Sequence, residues 1–260
     1  MATKKVTSLE VAKLAGVSQS AVSRVFTPGA SVSKKTNEKV RSAALELGYR
    51  PNILARSLIT GKSRIIGLVV SHLDNYFYPE ALELLSNALQ KKGYHVLVFM
   101  ASKTSGNIDD VVDEILDYQV DAIILASIAM SSNLANRCVA AGVPVMLFNR
   151  SQDDDRFSTV TSDNFLGGQK VARFLIAGGH KRIGYIAGWE GASTQHDREA
   201  GFIEELKQHG SSLYAREVGN FNQDEARQAT RKMFSKKEIP DAVFVASDDM
   251  AFAVMDVIRF

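Results

Sequence analysis

Beyond Arg64 the chain alternates between short apolar runs and amphipathic stretches, and this alternation limits its folds more than any other feature. The runs are Ile65–Val70, Tyr94–Phe99, Ala122–Leu125, Val145–Phe148, Ile183–Ala187, Ala215–Val218 and Ala242–Ala246. Helical spacing fills 79–92, 108–118, 131–141, 164–177, 193–209 and 222–234. Continuous apolar strands joined by helices predict an α/β fold whose parallel sheets are buried on both faces. Ligands of such sheets bind beyond the carboxyl ends of the strands, so the loops after each run are the places to look for chemistry.

The first sixty residues break this pattern. Thr7-Ser8-Leu9-Glu10 fits a capping box, with Thr7 as N-cap and Glu10 reaching back. A short helix with Leu9, Val11, Ala12 and Ala15 on its apolar side should follow and stop at Gly16. Ser18 caps a second helix that runs to about Phe26. Its spacing puts Ala21, Val22, Val25 and Phe26 on one face and Gln19, Ser20, Ser23 and Arg24 on the other. Two short helices about a tight Gly turn predict a helix-turn-helix, whose second helix enters the DNA major groove. Gln and Arg suit bidentate base contacts, and Ser suits phosphates or either base. A small helical bundle with a solvated polar face is the plainer alternative. Ser33 caps a third helix through about Leu47, closed by Gly48, and a two-turn segment after Pro51 needs a partner surface to persist.

Charge weighs on the same side. Overall the formal net charge is only +2, but residues 1–62 hold 11 Lys/Arg against 3 Glu, or +8. The other 20 basic and 26 acidic residues give −6. A basic head on an acidic body is the asymmetry expected when only the head meets nucleic acid. With 45% hydrophobic residues a wholly disordered chain is excluded. The N-terminus has no signal peptide pattern and no apolar run approaches a membrane span, which predicts a cytoplasmic protein. Cys138 is the single cysteine, so no intrachain disulfide forms. Arg56 stands where a P-loop ending in Gly61-Lys62-Ser63 needs Gly, and no G-x-G occurs. The five His lack metal-site spacing, and no nucleophile or carboxylate pair has a catalytic context; neither metal, cofactor nor enzymatic activity is expected.

Four blocks stand in order through residues 7–61: Val11-Ala12-Lys13-Leu14-Ala15-Gly16-Val17-Ser18, Val22-Ser23-Arg24-Val25, Leu47-Gly48-Tyr49-Arg50-Pro51-Asn52 and Ala55-Arg56-Ser57-Leu58. In these blocks the stretch resembles the DNA-binding head of the lactose-repressor (LacI/GalR) family of bacterial transcription regulators. The likeness continues through Ile66-Gly67-Leu68-Val69-Val70, Gly142-Val143-Pro144-Val145, Gly179-His180-Lys181-Arg182-Ile183 and Val245-Ala246-Ser247-Asp248-Asp249-Met250-Ala251. It implies an α/β protein with an all-α head: a helix-turn-helix joined to a two-lobed, periplasmic-binding-protein-like effector domain of parallel sheets. The expected parts are a head at 1–49, a hinge helix and linker at 50–63, a first lobe at 64–160 and a second at 161–260. Gln19, Ser20 and Arg24 are expected to read bases. Thr7, Ser18, Ser23, Ser33, Thr36, Tyr49, Asn52 and Arg56 complete the DNA-binding set. Ala55 and Leu58 resemble the residues that pack and wedge into the central base step, kinking the duplex. Thr27 departs from the Asn that many members carry after the recognition helix.

For the effector, the resemblance points to Arg150, Arg198 and Phe221, with the two arginines facing each other across a cleft. Tyr76, Phe77 and Tyr78 follow the first strand, where they could stack on a flat effector or simply serve lobe packing and the next helix's own N-terminal staple. Arg150 could instead form an inter-lobe salt bridge. Asp248 could cap a helix or touch ligand. Asp153-Asp154-Asp155 reads as a solvated charge run. The partners expected are pseudo-palindromic double-stranded operator DNA, a small effector (a sugar, sugar phosphate or nucleobase compound) and a second copy of the chain, with no membrane. A solute-binding protein shares the two-lobed core but needs an export signal and no basic head. Repression is the family default, and activation stays open. The sequence stops inside the helix opened by Asp248, at Val257-Ile258-Arg259-Phe260. With four strands expected in the first lobe and three in the second, the expectation is a second lobe that lacks a further strand, and a weak or absent effector response.

Overall fold

The computed structural model describes residues 6–27, 29–51, 61–71, 73, 76–101, 108–128 and 131–259. The chain divides into two compact units, Met1–Ser63 and Arg64–Phe260. Asn52, Ala55, Arg56 and Leu58 lie outside the described residues.

The first unit is helical: α1 (Ser8–Ala15), α2 (Gln19–Val25) and α3 (Lys34–Leu47). The capping box forms as spaced, with the Thr7 amide donating to Glu10 Oε2 at 2.7 Å and the Glu10 amide donating back to Thr7 Oγ1 at 3.4 Å. Gly16 ends α1 in the left-handed conformation at φ 65°. Val11, Ala12, Ala15, Val22, Val25, Val40, Ala43 and Ala44 form a small core, against which Phe26, Leu47 and Tyr49 pack. Leu9 is a correction. It is 62% exposed, because at about 100° per residue it falls on a different face from Val11, Ala12 and Ala15.

The second unit carries two parallel sheets. In the first, β1 (Ile65–Val70), β2 (His95–Met100), β3 (Ala122–Ala126), β4 (Val145–Phe148) and β5 (Ser158–Val160) lie in the order β2-β1-β3-β4-β5. In the second, β6 (Ile183–Ala187), β7 (Ala215–Val218) and β8 (Ala242–Val245) lie in the order β7-β6-β8. The returning helices are α4 (Phe77–Lys91), α5 (Ile108–Asp117), α6 (Ser132–Ala140), α7 (Asn164–Ala177), α8 (Ser193–Gln208), α9 (Gln223–Phe234) and α10 (Asp248–Ile258). The first sheet therefore has five strands where four were expected. Ser158-Thr159-Val160 is short and exposed and gives no apolar signal, yet it pairs in parallel with Met146–Phe148.

Separate apolar clusters cover the first sheet, one around Ile115, Leu125, Leu134 and Leu147 and the other around Leu68, Tyr78 and Ile124. The second sheet is held by Tyr185, Ile186, Phe202, Leu206, Met233 and Met250. Helices α7 and α8 cross closely because both contribute glycine. A Cβ on Gly201 would overlap the Phe165 carbonyl, and one on Gly168 would overlap that of Arg198. This crossing fixes where Arg198 leaves α8. In the charge run at 153–155, Asp153 and Asp155 are exposed as expected, while Asp154 pairs with the Arg156 guanidinium at 2.6 Å.

Beside the same helix pair, Arg173 grips the buried Glu205 carboxylate with two bonds of 2.8 Å. That grip holds the Glu205 carboxyl below its usual range. A depressed carboxyl stabilises the fold fully above the unfolded value of about 4.3, and this contribution is lost as pH falls through the folded value. Arg173→Met should therefore lower the melting temperature at pH 7, and the gap to wild type should narrow towards pH 3. Thermal melts across that range check this.

Candidate functional site

In the head, Ser18, Gln19, Ser20, Ser23 and Arg24 are all exposed, while Val22 and Val25 beneath them are buried. The polar face of α2 is thus presented by an apolar anchor. Ser18 caps the helix by accepting from the Ala21 amide at 3.2 Å. Its hydroxyl also lies 2.9 Å from that of Ser20. Gln19 Nε2 donates to Ser8 Oγ at 2.9 Å, which ties the start of α2 back to α1. Thr27 donates its hydroxyl to the Ser23 carbonyl at 2.8 Å and so closes the end of the helix. Ser33 caps α3 against the Thr36 amide at 3.2 Å. Tyr49 is half-buried against Phe26, with ring centroids 5.9 Å apart. These caps leave Arg24 exposed at the C-terminal turn of α2, on the same face as Gln19 and Ser20.

In the second unit the strand order reverses beside β1 and β3 in one sheet and beside β6 and β8 in the other. A crevice opens at such switch points. Tyr78 lies in the first turn of α4, not in a preceding loop; the helix starts two residues earlier than its spacing predicted. Tyr78 is 6% exposed. Its hydroxyl meets Ser127 Oγ and accepts from Asn149 Nδ2 at 2.9 Å. Phe77 stacks on Phe148 at 5.9 Å, so its ring serves packing between helix and sheet. Tyr76 is 85% exposed.

Arg150 follows β4 and crosses to the second sheet. Its Nη1 donates to the Gly191 carbonyl at 2.8 Å and its Nη2 to the Ser127 carbonyl at 3.0 Å. Its guanidinium carbon lies 5.1 Å from the centroid of the Trp189 ring. The neighbouring Ser151 amide donates to Ser193 Oγ at 2.8 Å. The bridge between the sheets is real, but it ends on carbonyls, so the salt-bridge alternative does not hold for Arg150. Burial lowers the pKa of this guanidinium.

Arg198 projects from α8 to the Ala246 carbonyl and to Asn164 Oδ1, the latter at 2.6 Å. Burial lowers its pKa as well. Phe221 lies over Gly188, where any Cβ would collide with its ring. Asp248 is the exposed first residue of α10. It does not cap that helix, because Ser247 does so by accepting from the Met250 amide at 3.4 Å.

Backbone strain gathers here too. Ser127, Asn149 and Phe221 hold left-handed φ values of 59°, 56° and 54° directly after β3, after β4 and near the end of β7. Non-glycine residues hold such values only where surroundings impose them, and functional sites are the usual place.

The lacI-family model of bacterial regulatory proteins matches residues 8–52. A periplasmic binding protein domain model matches residues 66–259. The HTH-type transcriptional regulator CelR of Thermobifida fusca is 33% identical over 259 residues, covering 96% of this chain and 76% of its own. The chain belongs to the LacI family. The fructose operon regulatory protein of Vibrio cholerae is 28% identical, over 96% of this chain and 78% of its own. The Lac repressor dimer bound to operator and the anti-inducer ONPF superposes with a TM-score of 0.87 at 29% identity, over 98% of this chain and 78% of its own.

This LacI-family transcription regulator has an N-terminal helix-turn-helix head followed by a parallel-sheet, periplasmic-binding-protein-like domain. No comparison favours a solute-binding protein, and the named relatives are transcriptional regulators. Among the described residues no helix is long and apolar enough to cross a membrane, and no group of three metal-ligating side chains forms.

Sequence reasoning missed the supports of the crevice. Gln195 is fully buried on α8, accepting from Tyr185 Oη at 2.8 Å and from the Gly188 amide at 2.7 Å. Its amide donates to Glu199 Oε2 at 2.8 Å. Burial is the main reason the Tyr185 phenol is pushed up to about 12, so it stays a donor at any ordinary pH. A lone Gln on a helix carries no sequence signal of that kind. Trp189, the single tryptophan placed just after an apolar run, was the one legible cue. Gln195→Leu should strand two buried donors and cost about 1–3 kcal/mol of stability. Urea unfolding measures this, and an unchanged midpoint would show that the network is dispensable.

Proposed function

We propose that this regulator binds pseudo-palindromic operator DNA as a homodimer, and that a small molecule in the crevice between the two sheets sets its operator affinity. Gln19, Ser20 and Arg24 read base edges. Ser18, Ser23, Thr7, Ser33, Thr36 and Tyr49 position the head on phosphates. The observation that carries the reading is the exposed polar face of α2 within a stretch, residues 1–62, of net charge +8. One short recognition helix reaches useful affinity only when two heads bind paired half-sites. Exposed apolar side chains on α4 and on the edge strand β2 (Leu84 at 63%, Val98 at 44% and Met100 at 48%) suit a self-association surface.

Residues 1–49 act as head and 50–63 as hinge and linker, with Ala55 and Leu58 at the central base step and Asn52 and Arg56 among the other DNA contacts. Residues 64–160 and 161–260 act as the effector lobes, a division supported by the two separate sheets. Tyr78, Arg150, Arg198 and Phe221 line the effector site; Tyr76, Phe77 and Asp248 stand at its margin. The chain works in the cytoplasm as a repressor and performs no catalysis.

DNase footprinting with operator fragments selected from random sequence tests the assembly. Two protected half-sites related by a dyad are expected, and a single asymmetric half-site bound by a monomer would refute the dimer. Gln19→Ala should cost about 1–3 kcal/mol on the preferred operator and relax the base choice at one position. An equal loss on every operator variant would remove the direct-readout assignment.

A further inference from the structure

The two guanidiniums of the crevice differ from every other arginine whose ion pairs the structure resolves. Arg137, Arg156, Arg173, Arg216 and Arg227 each meet a carboxylate. Arg150 and Arg198 are held by neutral acceptors: Gly191, Ser127 and Ala246 carbonyls and the Asn164 amide oxygen. The acids nearest in the chain are already taken. Glu190, next to Gly191, pairs with Arg216 at 2.8 Å, and Glu199, next to Arg198, pairs with the same arginine at 2.5 Å. Asp248 adds a favourable field at Arg198 but is itself exposed. At Arg150 the favourable field comes from the Tyr78 phenol and not from a carboxylate. Arg150 is 6% exposed, and its Nε is buried without a hydrogen-bond partner.

A buried cation whose N–H lacks an acceptor is costly, because both the charge and the donor have left water uncompensated. Such a group in a folded protein calls for a reason, and completion by a bound ion is one of them. A sugar hydroxyl would supply an acceptor and no charge. A carboxylate or phosphate supplies both, and its paired oxygens match the side-by-side donors of a guanidinium.

We propose that the effector is an oxyanion-bearing small molecule, a sugar-sized carboxylate or phosphate, whose anionic group is received by Arg150 Nε with Arg198 as the second cation. The inference rests on the effector crevice proposed above and narrows its ligand class. Trp189, the only tryptophan of the chain, lies under the Arg150 guanidinium and reports its occupancy.

The 260-residue chain is titrated at constant ionic strength with inorganic phosphate, D-glucuronate, D-glucose 6-phosphate and D-glucose, following Trp189 emission. Saturable changes are expected with the anions and none with glucose. The glucuronate and glucose 6-phosphate arms show which oxyanion fits better. Arg150→Met should abolish the response and Arg150→Lys should weaken it roughly tenfold or more, since a point charge replaces the fork. Thermal melts establish that each variant folds; should Arg150→Met not fold, Arg150→Lys and the anion-against-glucose comparison decide. A glucose response equal to that of the anions, an anion response that survives in a folded Arg150→Met or is unweakened in Arg150→Lys, or no saturable response to any anion overturns the proposal. Operator anisotropy run in parallel separates the two readings. An operator affinity that no anion changes refutes the effector-control reading and leaves the anion result standing, whereas operator release by glucose alone keeps effector control and refutes the anion.

Discussion

A parallel strand cannot turn back directly on its neighbour, so each must be followed by a return through a helix or long loop. Both sheets of the second unit obey this constraint, and it puts all their carboxyl ends on matching edges. Tyr78, Ser127, Asn149 and Arg150 sit at one such edge, and Gly188, Trp189, Gly191 and Ala246 at the other. The reach of Arg150 from Ser127 to Gly191 brings the two edges within one side chain of each other. The crevice follows from topology before any residue is chosen for chemistry.

What holds the crevice in shape is polar and mostly hidden. Gln195 pins the loop after β6 through the Gly188 amide, and Glu199 carries that support outward to Arg216. Two glycines let α7 and α8 approach closely enough for Arg198 to reach both Asn164 and Ala246. Left-handed backbone at Ser127, Asn149 and Phe221 aims side chains where an ordinary strand end would not. The left-handed backbone costs some local stability, and the hydrogen bonds of Gln195 and the apolar clusters on the sheets offset it.

The head solves a different problem. Its core is small, and much of its order comes from caps at Thr7, Ser18 and Ser33 and from the Gln19 link to Ser8. The Ser18 and Ser20 hydroxyls and the Gln19 amide belong at once to these caps and links and to the exposed face of α2. The start of that helix and the face proposed to read DNA therefore share residues.

The helical head, the capping box, the two faces of α2 and the alternating α/β body were legible in the sequence, because they depend on neighbours three or four positions apart or on runs of apolar residues. Membership of the LacI family was legible for the same reason, through contiguous blocks. Where the signal was weak or not local, reading failed. Ser158–Val160 joins a sheet without an apolar run, α4 begins early enough to absorb Phe77 and Tyr78, and Leu9 turns to solvent. The partners of Arg150 and Arg198, the burial of Gln195 and the capture of Glu190 and Glu199 by Arg216 join residues 7 to 48 positions apart. Only the packed tertiary structure decided which charges would be compensated there, since burial and distance, and not residue type, determine whether a guanidinium finds a carboxylate or ends on neutral oxygens.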